Sequence, residues 1–344
     1  MELKNLSFGG FSVDIPSEWE VSAIRISNNE TVLGIQDLEK ARLEVRWQEA
    51  NWKKTKEEAR ARGKALTKKL LEPEEVAENY HKEIKKKIKD MEFDEGISHE
   101  RIGGHSAVIS KWYGGGLRGY DAIWYCGTSD RYYYLRYTDG DDYGAFKSIL
   151  SSVSCHSSLS TLTWRYLGLD LQLPRDYRLD VQKAEVGRLI AVFLGHWEIE
   201  GKKRGTLSWL RPPPLPPVRK LIIEKVNLIR FGNSDLASWT AQEAATLTGK
   251  YVGSARVRFG PVEVNVNGHE GYLVLLSVGG GLLRGMPQYL SAYGWKCAQS
   301  SSAYVLVVPL SLREDWRKKV NDLTSPPNYV RCHSGYQETA GDSA

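Results

Sequence analysis

The sequence has no segment long and apolar enough to span a bilayer. Its longest apolar runs, such as Tyr272–Val278, fall far short of the roughly 20 residues that a transmembrane helix needs. The opening MELKNLSFGG has no basic segment followed by an apolar one, so secretion through a signal peptide is not expected. We therefore expect a cytoplasmic protein with no membrane partner.

Motifs of the common enzyme classes are also missing. The chain has no nucleotide-binding P-loop, no zinc-protease His-Glu pair and no serine nucleophile elbow. The His and acidic groupings near predicted loops, His99-Glu100 and Asp139–Asp142, both suit turns. We expect a protein that is not an enzyme, with no catalytic residue and no small-molecule substrate.

Cysteine is scarce, with four residues in 344, yet all four belong to a repeated pattern. Gly-His, an apolar run, three glycines, Leu-Arg-Gly and an aromatic stretch ending in cysteine occur in this order twice, at 104–126 and at 268–297. Each copy later ends with Cys-His-Ser, at 155–157 and 332–334. This order of matches indicates an internal duplication.

The spacing between equivalent residues indicates two lobes with longer loops in the second. The offset rises from 158 residues at Pro16 and Pro174 to 177 at Cys155 and Cys332. We predict a first lobe over 1–158, a tether over 159–163, a second lobe over 164–335 and a disordered tail over 336–344. A chain of this length can bury two cores of ordinary domain size.

Each copy has the same predicted order of elements. A short alternating strand ends at proline, a strand pair ends at tryptophan (Trp47 or Trp209), helices follow, and three strands and a helix come after Gly-His. The helices are predicted over 52–71, 74–91, 146–153, 235–247 and 312–323.

This order resembles the Mog1/PsbP-like fold, on the motifs Ile15-Pro16, Trp19, Gly104-His105 and Gly268-His269. The resemblance implies an α+β class, with two homologous α/β/α lobes, each an antiparallel sheet flanked by helices on both faces. It also implies a non-enzymatic lobe that docks on a larger protein or assembly, as family members do on a small GTPase or a photosystem. The two-lobed layout is further similar to that of an archaeal ribosome-hibernation factor.

The net charge of +5 is divided unevenly along the chain. Residues 1–160 carry 24 Lys+Arg and 26 Asp+Glu, whereas residues 161–344 carry 23 and 16, and the span 53–89 holds 13 basic and 7 acidic residues. Two separate basic surfaces favour polyanionic partners, although a solvated helix face explains the first equally well. The residues predicted to contact RNA or another partner are Lys82, Lys85, Lys86, Lys89, Arg118, Arg131, Arg136, Lys202, Lys203, Arg204 and Arg284.

Two of these arginines follow the glycine loops, 114–116 and 279–281. The loops can present bare backbone amides to an anion beside Arg118 or Arg284, or they can be hairpin turns whose glycines supply positive φ. Tyr132–Tyr134 occupy successive strand positions, so at least one is expected to face away from the core, where it could stack on an RNA base.

The cysteines and histidines have three interpretations, all structural. Disulfides Cys126–Cys155 and Cys297–Cys332 would close loops of 29 and 35 residues and stabilise each lobe by about 3–4 kcal/mol. Disulfides in the cytoplasm are typical of hyperthermophiles, which would make the source a thermophile. Buried free thiols are the bland alternative. The third is a zinc site in each lobe, with the ligand sets His105, Cys126, Cys155, His156 and His269, Cys297, Cys332, His333.

The adjacent Cys-His pair argues against zinc, because two neighbouring residues cannot easily bind one ion, so a disulfide is favoured and no cofactor is expected. The leading functional hypothesis is a bivalent protein that docks on a large RNA-containing assembly, most simply the ribosome, and regulates translation. The alternatives are an adaptor for a protein partner, such as a small GTPase or a membrane-associated complex, and a zinc-stabilised module.

Overall fold

The computed structural model describes residues 2–27, 30–50, 71–88, 90–94, 98–138, 142–157, 160–195, 220–279, 288–310 and 329–332. The chain divides into two compact units. The first comprises Met1–Leu159 and Trp164–Leu167, and the second comprises Ser160–Thr163 and Gly168–Ala344. Of the residues just after 159, Ser160–Thr163 thus belong to the second unit and Trp164–Leu167 to the first.

The first unit is built on an antiparallel sheet of eight strands. These are β3 (Glu20–Ile26), β4 (Glu30–Gln36), β5 (Ala41–Glu49), β6 (Glu92–Phe93), β7 (Ser98–Ile102), β8 (His105–Gly114), β9 (Leu117–Cys126) and β10 (Arg131–Thr138). The strand order is β3-β4-β5-β10-β9-β8-β6, and β7 also pairs with β8. The strands β5, β10 and β9 therefore form the middle of the sheet.

One face of this sheet is covered by helix α1 (Pro73–Lys87). Proline at the first helical position and Glu74 and Glu75 in the first turn favour the start of a helix here. Its buried residues Val76, Tyr80 and Ile84 recur every four positions, so they form one apolar stripe on the sheet.

The other face of the sheet is covered mainly by strands. β1 (Leu3–Phe8) and β2 (Phe11–Pro16) form a hairpin, and β11 (Thr161–Tyr166) pairs with β1. Phe11 stacks on Trp47 and Tyr133 of the main sheet. The short helix α2 (Tyr143–Ser151), capped by the Asp142 side chain, adds Phe146 to the same side.

The second unit contains a seven-stranded antiparallel sheet with a matching order. Its strands are β13 (Tyr177–Glu185), β14 (Arg188–Gly195), β15 (Lys220–Asn227), β16 (Ala255–Val266), β17 (His269–Val278), β18 (Gln288–Cys297) and β19 (Ser302–Pro309). They run in the order β13-β14-β15-β19-β18-β17-β16, which is the order of the equivalent strands in the first unit.

Helix α3 (Leu228–Phe231) and the longer helix α4 (Leu236–Tyr251) belong to this unit, and α4 covers one face of its sheet. Asp235 caps α4 by accepting a hydrogen bond from the Ser238 amide at 2.8 Å. β12 (Leu169–Pro174) is the counterpart of β2, and its three leucines are all buried.

The predicted fold class is wrong. The described residues are mostly strand in antiparallel sheets, and neither sheet is sandwiched between two helical layers. The physical reason is visible in the first unit, where the β1–β2 hairpin fills most of the face expected to carry a second helical layer. The helix predicted over 52–71, apart from its last residue, and the helix predicted over 312–323 lie outside the described residues. Within the described residues, no helix has the length and apolar character needed to cross a bilayer.

Candidate metal centres and basic surface

In both units a histidine directly follows a two-residue hairpin turn. Gly103 and Gly104 have φ of 54° and 86°, and His105 pairs with Ile102 across the turn. In the second unit Asn267 and Gly268 have φ of 55° and 83°, and the pair across the turn is Val266 and His269. Positive φ at both central positions is the type I′ geometry, which Asn-Gly and Gly-Gly favour. The local sequence thus fixes the position of the histidine at the start of β8 and of β17.

The first unit brings two thiols and two imidazoles together. The ligand atoms of His105, Cys126, Cys155 and His156 all lie within 4.8 Å of one another. The His156 Nδ1 atom is 3.4 Å from the Sγ atoms of both Cys126 and Cys155. Both cysteines are buried, and Nε2 of His105 is buried without a hydrogen-bond partner among the described residues. This arrangement is a compact N₂S₂ cluster.

The second unit repeats the cluster with three described residues. His269, Cys297 and Cys332 place their ligand atoms within 4.8 Å of one another, and His269 Nε2 is 3.1 Å from Cys332 Sγ. Cys297 and Cys332 are buried. His333, the fourth residue of the predicted set, lies outside the described residues.

Backbone pairing brings the last cysteine of each unit to its cluster. In the first unit Ser12 and Ser154 exchange two backbone hydrogen bonds, which fixes the chain just before Cys155. In the second unit the amide of Arg331, just before Cys332, donates to the Asp170 carbonyl. The partners, in β2 and β12, are equivalent strands, so the terminal Cys segment of each unit is held in the same way.

A serine amide lies against one sulfur in each cluster. The Ser300 amide is 3.4 Å from Cys297 Sγ, and the Ser129 amide hydrogen-bonds to Cys126. Such bonds stabilise a thiolate. These serines were missed in the sequence, although the shared spacing Cys-x-x-Ser at 126–129 and 297–300 is a signal that could have found them.

The pKa values of the cluster thiols are shifted from their ordinary value. A hydrogen bond from Cys155 lowers the pKa of Cys126 to about 4, and the same bond raises the pKa of Cys155. In the second unit, burial is the main cause that raises the pKa of Cys332 to about 12. These directions favour a thiolate at Cys126 beside a thiol at Cys155 in the first cluster and a protonated Cys332 in the second.

The predicted disulfides are not formed, because all four cysteines are free thiols in the structure. The adjacent Cys155 and His156 side chains both turn toward the cluster. The Cys155 Sγ and His156 Nδ1 atoms lie 3.4 Å apart and face the same point. The clusters bring together all four residues of the alternative zinc set in the first unit and three of the four in the second.

The glycine loop of the first unit is a tight hairpin turn. β8 ends at Gly114 and β9 begins at Leu117, and Gly115 and Gly116 between them have φ of 59° and 76°. The glycines are therefore explained by positive φ in a two-residue turn. The corresponding loop at 280–287, with Arg284, lies outside the described residues.

The structure places the predicted RNA-binding residues in different environments. Lys82, Lys85 and Lys86 are exposed on α1, where Lys82 pairs with Glu78. Arg118 is exposed in β9, and Arg131 is half-buried at the start of β10. The predicted residues that lie outside the described part of the chain are Lys89, Lys202, Lys203, Arg204 and Arg284.

Arg136 does not lie on the surface, which corrects its assignment as a binding residue. Its guanidinium donates two hydrogen bonds to Asp121, at 2.9 and 2.8 Å, and lies over the rings of Tyr80 and Trp112. Burial raises the pKa of Asp121, and the charge and hydrogen bonds of Arg136 act in the opposite direction. This bidentate geometry indicates an ionised pair under α1.

None of the three consecutive tyrosines faces solvent. Tyr132, Tyr133 and Tyr134 are all at most 6% exposed. Alternate strand positions face opposite sides of a sheet, and here both sides are covered, by α1 and by the β1–β2 hairpin. The proposed stacking of one of them on an RNA base is therefore wrong.

No family model and no curated protein matches the chain. Among solved structures, the chain is similar to PsbP of the cyanobacterium Synechocystis sp. PCC 6803, with 14% identity, a TM-score of 0.32, and coverage of 45% of this chain and 92% of that one. It is also similar to the type VI secretion immunity protein TplEi of Pseudomonas aeruginosa, with 10% identity, a TM-score of 0.32, and coverage of 96% and 98%. Similarities this low carry no information about function.

Proposed function

We propose that the protein is a non-enzymatic binding protein that docks on a large RNA-containing assembly, with the ribosome as the first candidate. The observation that supports this is the last turn of α1, where Lys85, Lys86 and Lys87 are all exposed. Among the described residues, no carboxylate lies within ion-pair distance of these three lysines. An exposed group of unpaired lysines suits phosphate contacts.

The two-unit layout adds to the proposal. If both units contact the same assembly, the second contact forms at a high effective concentration and strengthens the first without new interactions. The basic residues of the second surface lie outside the described part of the chain, so the proposal rests on α1. A role in silencing translation is the functional consequence of occupying ribosomal subunits.

The test is co-sedimentation of the full chain with purified ribosomal subunits at increasing salt. If these three lysines are the phosphate contacts, affinity falls by roughly 20–40-fold between 50 and 200 mM salt. The variant Lys85→Gln/Lys86→Gln/Lys87→Gln should lose most of the binding and most of the salt dependence.

A matched control removes the same charge elsewhere. Lys4, Lys147 and Lys183 already pair with Glu20, Glu100 and Glu185, so Lys4→Gln/Lys147→Gln/Lys183→Gln should bind like the unmodified chain. No co-sedimentation at low salt would contradict the proposal, and so would equal loss in the two variants. A complex that resists both salt and nuclease would instead favour the adaptor for a protein partner.

A further inference from the structure

We propose that the His/Cys cluster of each unit binds one Zn²⁺ ion, so that the chain holds two structural zinc ions. The site of the first unit consists of His105, Cys126, Cys155 and His156. The site of the second unit contains His269, Cys297 and Cys332. This inference is independent of the proposed function, because it concerns buried residues that contact no partner in that proposal.

The distances fit tetrahedral zinc. With Zn–S of about 2.3 Å and Zn–N of about 2.0–2.1 Å, neighbouring ligand atoms lie about 3.3–3.8 Å apart. The sulfur–nitrogen distances are 3.4 and 3.4 Å in the first unit, within this range, and 3.1 Å in the second, slightly below it. Since no pair of ligand atoms is farther apart than 4.8 Å, small side-chain shifts complete the coordination.

The charge balance also favours a divalent ion. Zn²⁺ binding releases the thiol protons to solvent and leaves two thiolates and neutral imidazoles, so the buried site has no net charge. A buried imidazole nitrogen without a partner, such as Nε2 of His105, costs free energy unless something accepts its lone pair or proton. A metal ion satisfies it, and the serine amides described above then serve as donors to the bound sulfurs.

The ion would link segments that are distant in sequence. In the first unit the ligands come from the start of β8, the end of β9 and the segment after α2. The second unit repeats these three origins, at the start of β17, the end of β18 and the bridge at Val330. Agreement between the two units is a second observation for the site, since chance assembly of His and Cys would not recur at equivalent places.

The test is the metal content of the full chain, purified without a metal-affinity tag, together with a count of reactive thiols after unfolding. We expect two zinc ions per chain, and one in each of the variants Cys126→Ser, His105→Ala and Cys297→Ser. The control variant His99→Gln changes an exposed histidine outside both clusters and should keep two. The variant Ser129→Ala leaves the ligands intact and should also keep two.

Each other outcome overturns the proposal. A metal-free chain without reactive thiols under non-reducing conditions would identify the disulfides. A metal-free chain with four reactive thiols would identify free cysteines, and this result needs no variant, so it stands even if the substituted chains do not fold. If the unmodified chain holds one zinc ion and the Cys126→Ser variant holds none, the site in the second unit alone is overturned.

Discussion

The two units have the same strand order in their sheets but differ in the size and charge of the side chains that lie between the sheet and its helix. Under α1 the sheet carries large or charged side chains, namely Asp121, Ile123, Tyr134 and Arg136. The equivalent positions under α4, given by the same strand register, are Ala292, Gly294, Val305 and Val307. The helices match their surfaces, because the buried residues of α1 include Tyr80 and Ile84, whereas those of α4 include Thr240 and Ala244.

This comparison shows that one strand order tolerates two kinds of core. Under α1 the large side chains Tyr80 and Trp112 surround an ion pair. At Gly294 the missing side chain lets Thr240 of α4 approach the strand, since a Cβ there would overlap the threonine hydroxyl. The size of the buried side chains thus changes together in the sheet and in its helix, as expected where two layers are close-packed.

The largest expected effect comes from breaking the buried ion pair of the first unit. Asp121→Ala leaves Arg136 buried and unpaired, and we expect a loss of about 3–5 kcal/mol of unfolding free energy. The double variant Asp121→Ala/Arg136→Val, which copies the residues of the second unit, should recover much of that loss. Hydrogen exchange at β10 and β19 amides measures each unit separately. Equal losses in the single and double variants would show that the pair does not act as a unit.

Alanine introduced at two equivalent positions, 123 and 294, should destabilise the two units for opposite reasons. Ile123→Ala creates a cavity under α1 and should cost about 2–5 kcal/mol. Gly294→Ala overfills the contact with Thr240 and should cost about 1–3 kcal/mol. Adding Thr240→Ala, which removes the hydroxyl that the new Cβ would overlap, should relieve the second variant and not the first. A Gly294→Ala chain as stable as the unmodified protein would show that α4 can move away freely.

A buried carboxyl should make the second unit less stable as the pH rises. Glu224 and Glu243 both accept hydrogen bonds from Arg188, and burial raises the pKa of Glu224 from 4.5 to about 7. The folded unit then holds a proton that the unfolded chain has released, so stability falls between pH 4.5 and 7, by up to about 3 kcal/mol. Urea unfolding across this range should show the slope, and Glu224→Gln should remove it.

The first unit should instead become less stable as the pH falls, and the loss of unfolding free energy should be smaller. Burial, followed by the charges of Arg136 and Lys85, lowers the pKa of His81 from 6.5 to about 4. The unfolded chain binds a proton below pH 6.5 that the folded unit excludes, so stability falls as the pH drops from 6.5 to 4. We expect a loss of about 2 kcal/mol, since the ring is partly exposed. His81→Asn should flatten the profile, while a substitution of the exposed His99 should leave it unchanged.

Predictions from the sequence succeeded where short-range patterns decide the structure. The strand Phe11–Pro16 lies where the alternation and the proline indicate it, and α1 follows the apolar spacing that begins at Val76. They failed where distant segments meet. In the sequence Arg136 lies between tyrosines and was predicted to be on the surface. Its partner Asp121 lies on the neighbouring strand, which the local sequence does not reveal.

For the candidate metal sites, the sequence determined which residues are present and where each sits on its strand. The recurrence of Gly-His and Cys-His, and turns that only glycine or asparagine adopts readily, are local properties of the chain. The tertiary structure alone decided that thiols 29 residues apart in sequence share one point with two imidazoles, without forming a disulfide. The physical reason is that the backbone bridge between Ser12 and Ser154 places the neighbouring Cys155 beside Cys126. Such long-range pairing forms only when the sheet has folded.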